Sequence, residues 1–363
     1  MPAMGSGNGA SASRRLWVAG GTGFLGSHLV RFLRSGGHDV TAVSRSGGAV
    51  DDAEVHAVDV LDSAAVAKSA RGAEGAFLCT GLVSRDPNDS EAMHRAHVVG
   101  TRTALQGLRD AGVRRIVVAS TSGTLAISES SDFIATEDSP GPQELALRFP
   151  YYRSKLYAER EALEASTSSF EVIVVNPSLL LGPGDLRESS TGDIRRYLER
   201  EIPAAPAGGI AFVDARDAAQ GMWQAFERGE AGERYLLNAK NMTVRALFQR
   251  LERMTGVAAP RAQLPASRAV SLGAHALLTN LLEKVGGAMP VDAVSVELGQ
   301  LFWYCSSAKA ERKLGFTPRD PGETLRDTVD DLIARGAAHP RPGLGMARAA
   351  QKAFDAMRAR SVD

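Results

Sequence analysis

Short runs of consecutive apolar residues recur along the first half of the chain, at residues 16–19, 40–43, 55–58, 76–79, 116–119 and 172–175. Most lack an in/out alternation, as expected of strands covered on both faces. Between them, residues 26–35, 64–70, 91–111 and 151–165 have helical composition, and several of these stretches end near glycine (Gly36, Gly72, Gly112), a common stop signal. Strand and helix alternating in this way predict an α/β fold with a parallel sheet and crossover helices. After Asn176-Pro177 the pattern gives way to loops rich in Gly, Pro and Ser, and helices then dominate, with residues 244–255 and 267–285 amphipathic.

The first apolar run leads directly into Gly20-Gly21-Thr22-Gly23-Phe24-Leu25-Gly26, which opens the first helix. In a strand–turn–helix context the first glycine permits a tight turn, the second lets backbone amides approach a pyrophosphate, and the third allows close helix–sheet packing. This makes the expected fold a Rossmann-type doubly wound parallel sheet that holds a dinucleotide. The next strand discriminates between NAD and NADP. NAD binders usually end it with an acid for the ribose 2′-hydroxyl. Here it runs Val40-Thr41-Ala42-Val43-Ser44-Arg45-Ser46, and no acid appears until Asp51. Arg45 can fork onto a 2′-phosphate, with Ser44 or Ser46 adding a hydroxyl, so NADP is expected ahead of NAD. Asp59-Val60 suits the adenine rim. The expected cofactor-binding set is completed by Thr80, Gly81, Ser120, Asn176, Pro177 and Ser178.

Tyr151 and Lys155 follow about 130 residues later, spaced one helical turn apart at the start of a helix, just after Pro150. A phenol is a weak acid at neutral pH, and a neighbouring ammonium is expected to lower its pKa. Lys155 is also placed to hold the nicotinamide ribose hydroxyls. Ser120, Thr121 and Ser122 sit past the strand at 116–119, where a hydroxyl can reach the substrate oxygen bound by Tyr151.

Composition narrows the field. Lys plus Arg (42) balances Asp plus Glu (42) in 363 residues, so there is no global basic field to recruit nucleic acid or an anionic membrane. The two cysteines, Cys79 and Cys305, lack disulfide-framework or zinc spacing, which fits a reducing, cytoplasmic setting with no metal site. No apolar stretch approaches the ~18 residues of a membrane span.

The expected organisation is a disordered leader at 1–14, a dinucleotide-binding domain at 15–177 rejoined by 209–240, and a smaller, mostly helical substrate lobe from 178–208 and 241–336. A tail helix at 337–363 carries Met346, Ala350, Phe354 and Met357 near one face. It reads as packed on the body, with a homodimer contact or a membrane-surface role as the other readings. Asp214 and Asp217 read as a capping or ion-pairing junction with Arg216 rather than a metal site. Trp17, Trp223 and Trp303 read as packing residues.

The segments VAGGTGFLGSHLV, VGTRTALQGLRDAGVRRIVVASTSGTL, YYRSKLYAE, VNPSLLLGPGD and CSSAKAERKLGF resemble the extended short-chain dehydrogenase/reductases, and among them the dihydroflavonol-4-reductase-like branch. The match spans roughly residues 15–336. The resemblance implies a catalytic hydroxyl at Thr121, a proton donor at Tyr151, a cofactor lysine at Lys155 and a 2′-phosphate arginine at Arg45. It implies an NADPH-dependent reductase (or reverse dehydrogenase) of a ketone or aldehyde on a small-to-medium organic substrate. A nucleotide-sugar epimerase or dehydratase that retains NAD is the alternative, with Arg187, Arg195 and Arg196 as phosphate ligands. A 3β-hydroxysteroid dehydrogenase is a close variant of the reductase, and a non-catalytic dinucleotide sensor a third class. Two positions depart from the family pattern: Leu78-Cys79-Thr80-Gly81 replaces a histidine followed by small residues, and His97 stands where related chains usually carry asparagine. At His97 the expected consequences are a bond to a backbone carbonyl and an altered proton-relay water. Substrate selection is expected from residues 82–87, 178–201 and 267–302.

Overall fold

The computed structural model describes residues 13–284 and 292–341. Its main sheet has eight strands in the order Arg234–Leu237, Glu171–Pro177, Arg115–Ala119, Gly75–Leu78, Arg15–Ala19, Asp39–Ser44, Ala53–Ala57 and Gly48–Val50. Neighbours are parallel except the last pair, which is antiparallel. This is the expected doubly wound sheet. All six anticipated strands are present with small shifts at their ends. The two edge strands, Gly48–Val50 and Arg234–Leu237, have no counterpart in the apolar pattern because they are short and set among turn residues.

The unbroken apolar runs arise because each central strand faces two cores. Leu16, Val18, Val117, Ile173 and Val175 point to the cluster holding Leu29 and Leu33 of helix Phe24–Ser35 and Met222 and Phe226 of helix Ala215–Arg228. The alternate residues Trp17, Ile116, Val118, Val172 and Val174 pack on the other face with Val66, Leu105, Leu108 and Ala162. Each fully buried aliphatic or aromatic side chain of this kind stabilises by roughly 1.5–3 kcal/mol.

Residues 209–240 divide between two layers. Gly209–Asp214 pairs with Leu179–Leu181 and Lys240–Thr243 in a separate three-stranded sheet, whereas Ala215–Arg228 and Arg234–Leu237 pack on and extend the main one. The small sheet carries its own core, with Phe212, Tyr197, Phe248, Leu251 and Leu325 buried. Helix Val244–Thr255 buries Val244, Leu247, Phe248 and Leu251 as the amphipathic pattern expects, whereas helix Arg268–Lys284 forms but buries no apolar face among its described side chains, with Val270 and Leu277 exposed. The stretch read as one helix at 91–111 is Ser90–His94, a π-helical turn Arg95–Val99, and Gly100–Asp110.

The end of the anticipated leader is bonded to the body: Ser13 Oγ donates to Gly37 O at 2.8 Å and Asp39 N to Arg14 O at 2.9 Å. The rest of the leader and nearly all of the tail helix lie outside the described residues. Among the described residues no helix is long and apolar enough to cross a membrane. No group of three or more His, Cys, Asp or Glu side chains among them is placed to hold a metal ion.

Candidate active site

The winding of the sheet reverses between Arg15–Ala19 and Gly75–Leu78, so the loops leaving these strands flank a crevice at the carboxyl edge. Gly20 has φ +77°, and a Cβ there would lie 2.6 Å from Cys79 O, so only glycine lets the two loops touch. A Cβ on Gly26 would overlap Gly20 O, which brings the helix hard against the turn. Gly23 N donates to Gly20 O at 2.8 Å, and the helix then starts from extended Gly23 with neither a side-chain cap nor an acid in its first turn. The amides of Phe24, Leu25 and Gly26 are thus left for an anion, with the helix dipole behind them. These residues fit the diphosphate of a dinucleotide. Thr22 lies under the hairpin, its Cγ2 at 3.3 Å from where a Cβ on Gly48 would stand.

Arg45 is exposed at the end of strand Asp39–Ser44 and has no ion pair among the described residues. Asp51, the next acid, is taken by Arg31 in a two-pronged pair at 2.8 and 3.1 Å. Ser44 does not supply a donor to the crevice: it is buried and its hydroxyl donates to Gly47 O at 3.0 Å, closing the turn. Asp59 is exposed and accepts from Leu61 N at 3.0 Å, and Val60 packs toward Gly100. Thr80 is half-buried and Gly81 exposed beside the crevice.

Pro150 occupies the first turn of helix Pro150–Glu164, where its missing amide costs nothing, and sets the phase that turns Tyr151, Lys155 and Glu159 to one side. Lys155 Nζ donates to Ala119 O at 2.9 Å, pinning the helix to the end of strand Arg115–Ala119. Burial pushes the Lys155 ammonium down to about 8, with Glu159 the principal opposing influence. The Tyr151 phenol is raised above its ordinary value, by burial first and by Tyr152 second. This corrects the expected lowering by the lysine: desolvation of the phenolate sets the direction, so the phenol keeps its proton. Thr121 is half-buried, and its Oγ1 accepts from Gly123 N at 3.3 Å, leaving the hydroxyl proton for another acceptor.

Glu159 was not singled out by the sequence reading, although it continues the Tyr151–Lys155 spacing by one more turn. It is 2% exposed. Its Oε2 accepts from Ser120 Oγ at 2.5 Å, Thr124 Oγ1 at 2.8 Å and Asn176 Nδ2 at 2.7 Å, and its Oε1 from Arg234 at 3.0 Å. The side chains of Ser120 and Asn176 are therefore committed to this buried network rather than to the crevice. Asn176 Nδ2 also reaches Thr121 O at 3.1 Å, fixing the Thr121 backbone. Pro177 is buried, and Ser178 Oγ bonds to Leu237 O and Asn238 Oδ1, both at 3.1 Å. Ser120 Oγ, Asn176 Nδ2 and Ser178 Oγ turn inward because buried polar groups are held by protein partners, while Asn176 Oδ1 is buried without one.

His97 lies in the π-helical turn and is 1% exposed. Its Nε2 bonds to Leu82 N at 3.0 Å and its Nδ1 to Ser154 Oγ at 2.8 Å, while Ser154 Oγ donates to Tyr151 O at 2.8 Å. The partner is thus a backbone amide and not the carbonyl expected. Burial, aided by Lys155, pushes the imidazole down to about 2.

Farther from the crevice, Asp214 caps helix Ala215–Arg228 and pairs with Arg216 at 2.7 Å, and Asp217 pairs with Arg319 at 2.8 Å, as a structural junction requires. Arg195 is bound by Glu188 and Glu199, and Arg196 lies 3.9 Å from Asp193. Trp17 is fully buried, Trp223 packs on His38, and Trp303 lies against Tyr152 with ring centroids 4.8 Å apart.

A doubly wound sheet with a glycine-rich turn and a Tyr/Lys helix at its carboxyl edge fits an NAD(P)-dependent oxidoreductase acting on CH–OH and C=O groups. The model of the NAD dependent epimerase/dehydratase family matches residues 16–237. A putative dihydroflavonol 4-reductase of Synechocystis sp. is 30% identical over 86% of this chain and 93% of its own. Sterol demethylase protein B of Methylococcus capsulatus is 29% identical over 88% and 98%, respectively. The crystal structure of gox2253 superposes with a TM-score of 0.76 at 28% identity, covering 90% of this chain and 100% of its own. The chain belongs to the NAD-dependent epimerase/dehydratase family, within the extended short-chain dehydrogenase/reductases.

Proposed function

We propose that the protein is an NADPH-dependent reductase of a ketone or aldehyde on an uncharged, largely apolar substrate. The observation that carries this reading is the Lys155–Ala119 bond at 2.9 Å, which seats the Tyr151 helix beside the strand end that presents Thr121. The bound dinucleotide supplies the hydride. Tyr151, protonated because its phenolate is desolvated, donates to the carbonyl oxygen. Thr121 donates a hydrogen bond to the same oxygen and orients it. Lys155 steadies the charge left on Tyr151 and holds ribose hydroxyls. Gly20, Thr22, Gly23, Phe24, Leu25 and Gly26 hold the diphosphate, Arg45 the 2′-phosphate, Asp59 and Val60 the adenine rim, and Thr80 and Gly81 the nicotinamide half.

An uncharged substrate is supported by the charge state of the lobe. Arg195 is held by Glu188 and Glu199, which weakens the reading of a nucleotide-sugar enzyme needing cations for a diphosphate, although Arg187 is exposed with no ion pair among the described residues and Arg196 lies 3.9 Å from an Asp193 that Arg85 already binds. The segments leaving the carboxyl edge expose Leu82, Val83, Leu179 and Leu186 instead. These apolar side chains, with the sterol-named relative, also favour the hydroxysteroid-type variant. Replacement Tyr151→Phe is expected to abolish NADPH oxidation with a panel of carbonyl compounds while leaving NADPH binding intact. Unchanged turnover overturns the assignment, and binding without stoichiometric oxidation by the parent enzyme favours an epimerase or a sensor.

A further inference from the structure

We propose that His97 is a positioning residue that, as a neutral imidazole protonated at Nδ1, ties the loop bordering the crevice to the first turn of the Tyr151 helix. The chemistry of its partners assigns the tautomer. A backbone N–H can only donate, so Nε2, which faces Leu82 N at 3.0 Å, carries no proton. The ring proton is then on Nδ1 and is donated to Ser154 Oγ at 2.8 Å, and Ser154 passes its own proton to Tyr151 O at 2.8 Å. All three bonds are satisfied in one direction, and a doubly protonated ring breaks the first of them.

The device is built where both halves of the reaction meet. Leu82 follows Gly81 on the loop that leaves strand Gly75–Leu78, one side of the crevice. Tyr151 is on the other side, its ring edge-on to His97 with centroids 5.6 Å apart. The π-helical turn Arg95–Val99 supplies the local change of phase in which His97 reaches both. Farther along the loop, Arg85 grips Asp193 at 2.7 and 3.1 Å and Ser295 at 3.0 Å, so residues 80–85 are held at one end by His97 and at the other by the lobe. The charged and titratable groups around the ring are Lys155, Tyr151 and Glu159. Lys155 and Glu159 line with His97 a cavity of about 10 Å³. A cation at His97 is opposed by burial first and by the Lys155 ammonium second.

The inference concerns this chain's own hydrogen bonds, and it rests on the proposed reductase reading only for its kinetic consequences. Its first test is nitrogen-15 imidazole NMR of the full-length protein, with His97→Gln identifying the signal. A neutral Nδ1–H pattern unchanged from about pH 8 to about pH 5 is expected. An Nε2–H tautomer, or titration near the ordinary 6.5, overturns the proposal even if the protein proves to have another activity. The second test separates the two arms. Asparagine at position 97 mimics Nδ1 and keeps the Ser154 arm, so His97→Asn is expected to raise KM for the carbonyl about tenfold with kcat within about twofold. Glutamine mimics Nε2 and keeps the Leu82 arm, so His97→Gln is expected to lower kcat about tenfold with KM little changed. Ser154→Ala, which cuts the Tyr151 arm by removing the acceptor of Nδ1–H while keeping the imidazole and its bond to Leu82 N, is expected to behave as His97→Gln and serves if the histidine variants do not fold. Equal effects on kcat and KM in all variants, or none, overturn the assignment. Absence of carbonyl reduction in the parent enzyme overturns the proposed function and leaves the spectroscopic test standing.

Discussion

Arg234, the first residue of the edge strand Arg234–Leu237, donates to Glu159 at 3.0 Å, with the carboxylate only 2% exposed. Through that pair the edge strand Arg234–Leu237 is joined to the helix of Tyr151 and Lys155. Through Ser120, Thr124 and Asn176 the same carboxylate holds the segment that presents Thr121. The helix of Tyr151 and Lys155 and the segment of Thr121 are thus joined by one buried polar network.

Breaking that network strips Arg234 and Ser120 of their partner and leaves Thr124 and Asn176 only their bonds around Thr121 O. Glu159→Ala is expected to cost about 1–3 kcal/mol of stability, the range for leaving buried donors unsatisfied, because Arg234 itself is 32% accessible and regains water. Glu159→Gln, which keeps acceptor oxygen and volume, is expected to lose less. Urea unfolding followed by circular dichroism measures both, and a loss under about 1 kcal/mol for the alanine variant contradicts the network's role.

Arg45 supports nothing within the described fold, so its removal tests cofactor choice cleanly. Arg45→Ala is expected to weaken NADPH binding about ten- to a hundredfold, the equivalent of one or two charge-assisted hydrogen bonds, while NADH binding and melting temperature stay unchanged. Equal weakening of both cofactors places the 2′-phosphate elsewhere.

Lys155 has a pH signature whose sign follows from burial. Its folded-state value of about 8 lies below the ordinary 10.5. Below about 8 both folded and unfolded states carry the proton, and the cost of a buried cation is fully present. Between that value and 10.5 the unfolded chain holds more protons, so folding stability rises with pH. Relative to Lys155→Met, the cofactor-free parent is expected to gain about 2–3 kcal/mol between pH 7 and pH 10. Parallel stability curves for the two proteins contradict the depressed value.

The Arg85–Asp193 pair joins the loop after strand Gly75–Leu78 to helix Gly192–Leu198 at a partly exposed position, with side chains 42% and 51% accessible. Solvent screening limits its contribution to stability to about 1 kcal/mol or less. Arg85→Ala is expected to leave the melting temperature almost unchanged while raising KM for the carbonyl, because the loop at residues 80–85 loses its anchor on the lobe. A large drop in melting temperature with unaltered KM argues for a purely structural pair.

Much of the sheet was legible because its strands are buried on both faces and therefore carry continuous apolar runs, as at Leu16–Ala19 with Leu16 and Val18 to one side and Trp17 and Ala19 to the other. Gly48–Val50 and Arg234–Leu237 were not, since edge strands are short and their pairing is set by neighbours distant in sequence. Tyr151, Lys155 and the glycine turn were legible because helical spacing and backbone sterics are local. Glu159 sat on the same spacing and was missed: a glutamate at that phase reads as a solvated helix charge until Arg234, 75 residues away, is folded against it.

The chain by itself determined the alternation of strand and helix, the turn at Gly20–Gly26 and the Tyr151–Lys155 face, all of which depend on neighbours within a few residues. Tertiary structure alone decided which polar groups face the crevice and which support it. Ser44, Ser120, Asn176 and Ser178 looked equally available in sequence, yet each is turned to a protein partner. The same packing raised the Tyr151 phenol instead of lowering it and made His97 a link between Leu82 and Ser154. Desolvation and hydrogen-bond satisfaction depend on what surrounds a group in three dimensions, and that surrounding is contributed by residues far apart along the chain.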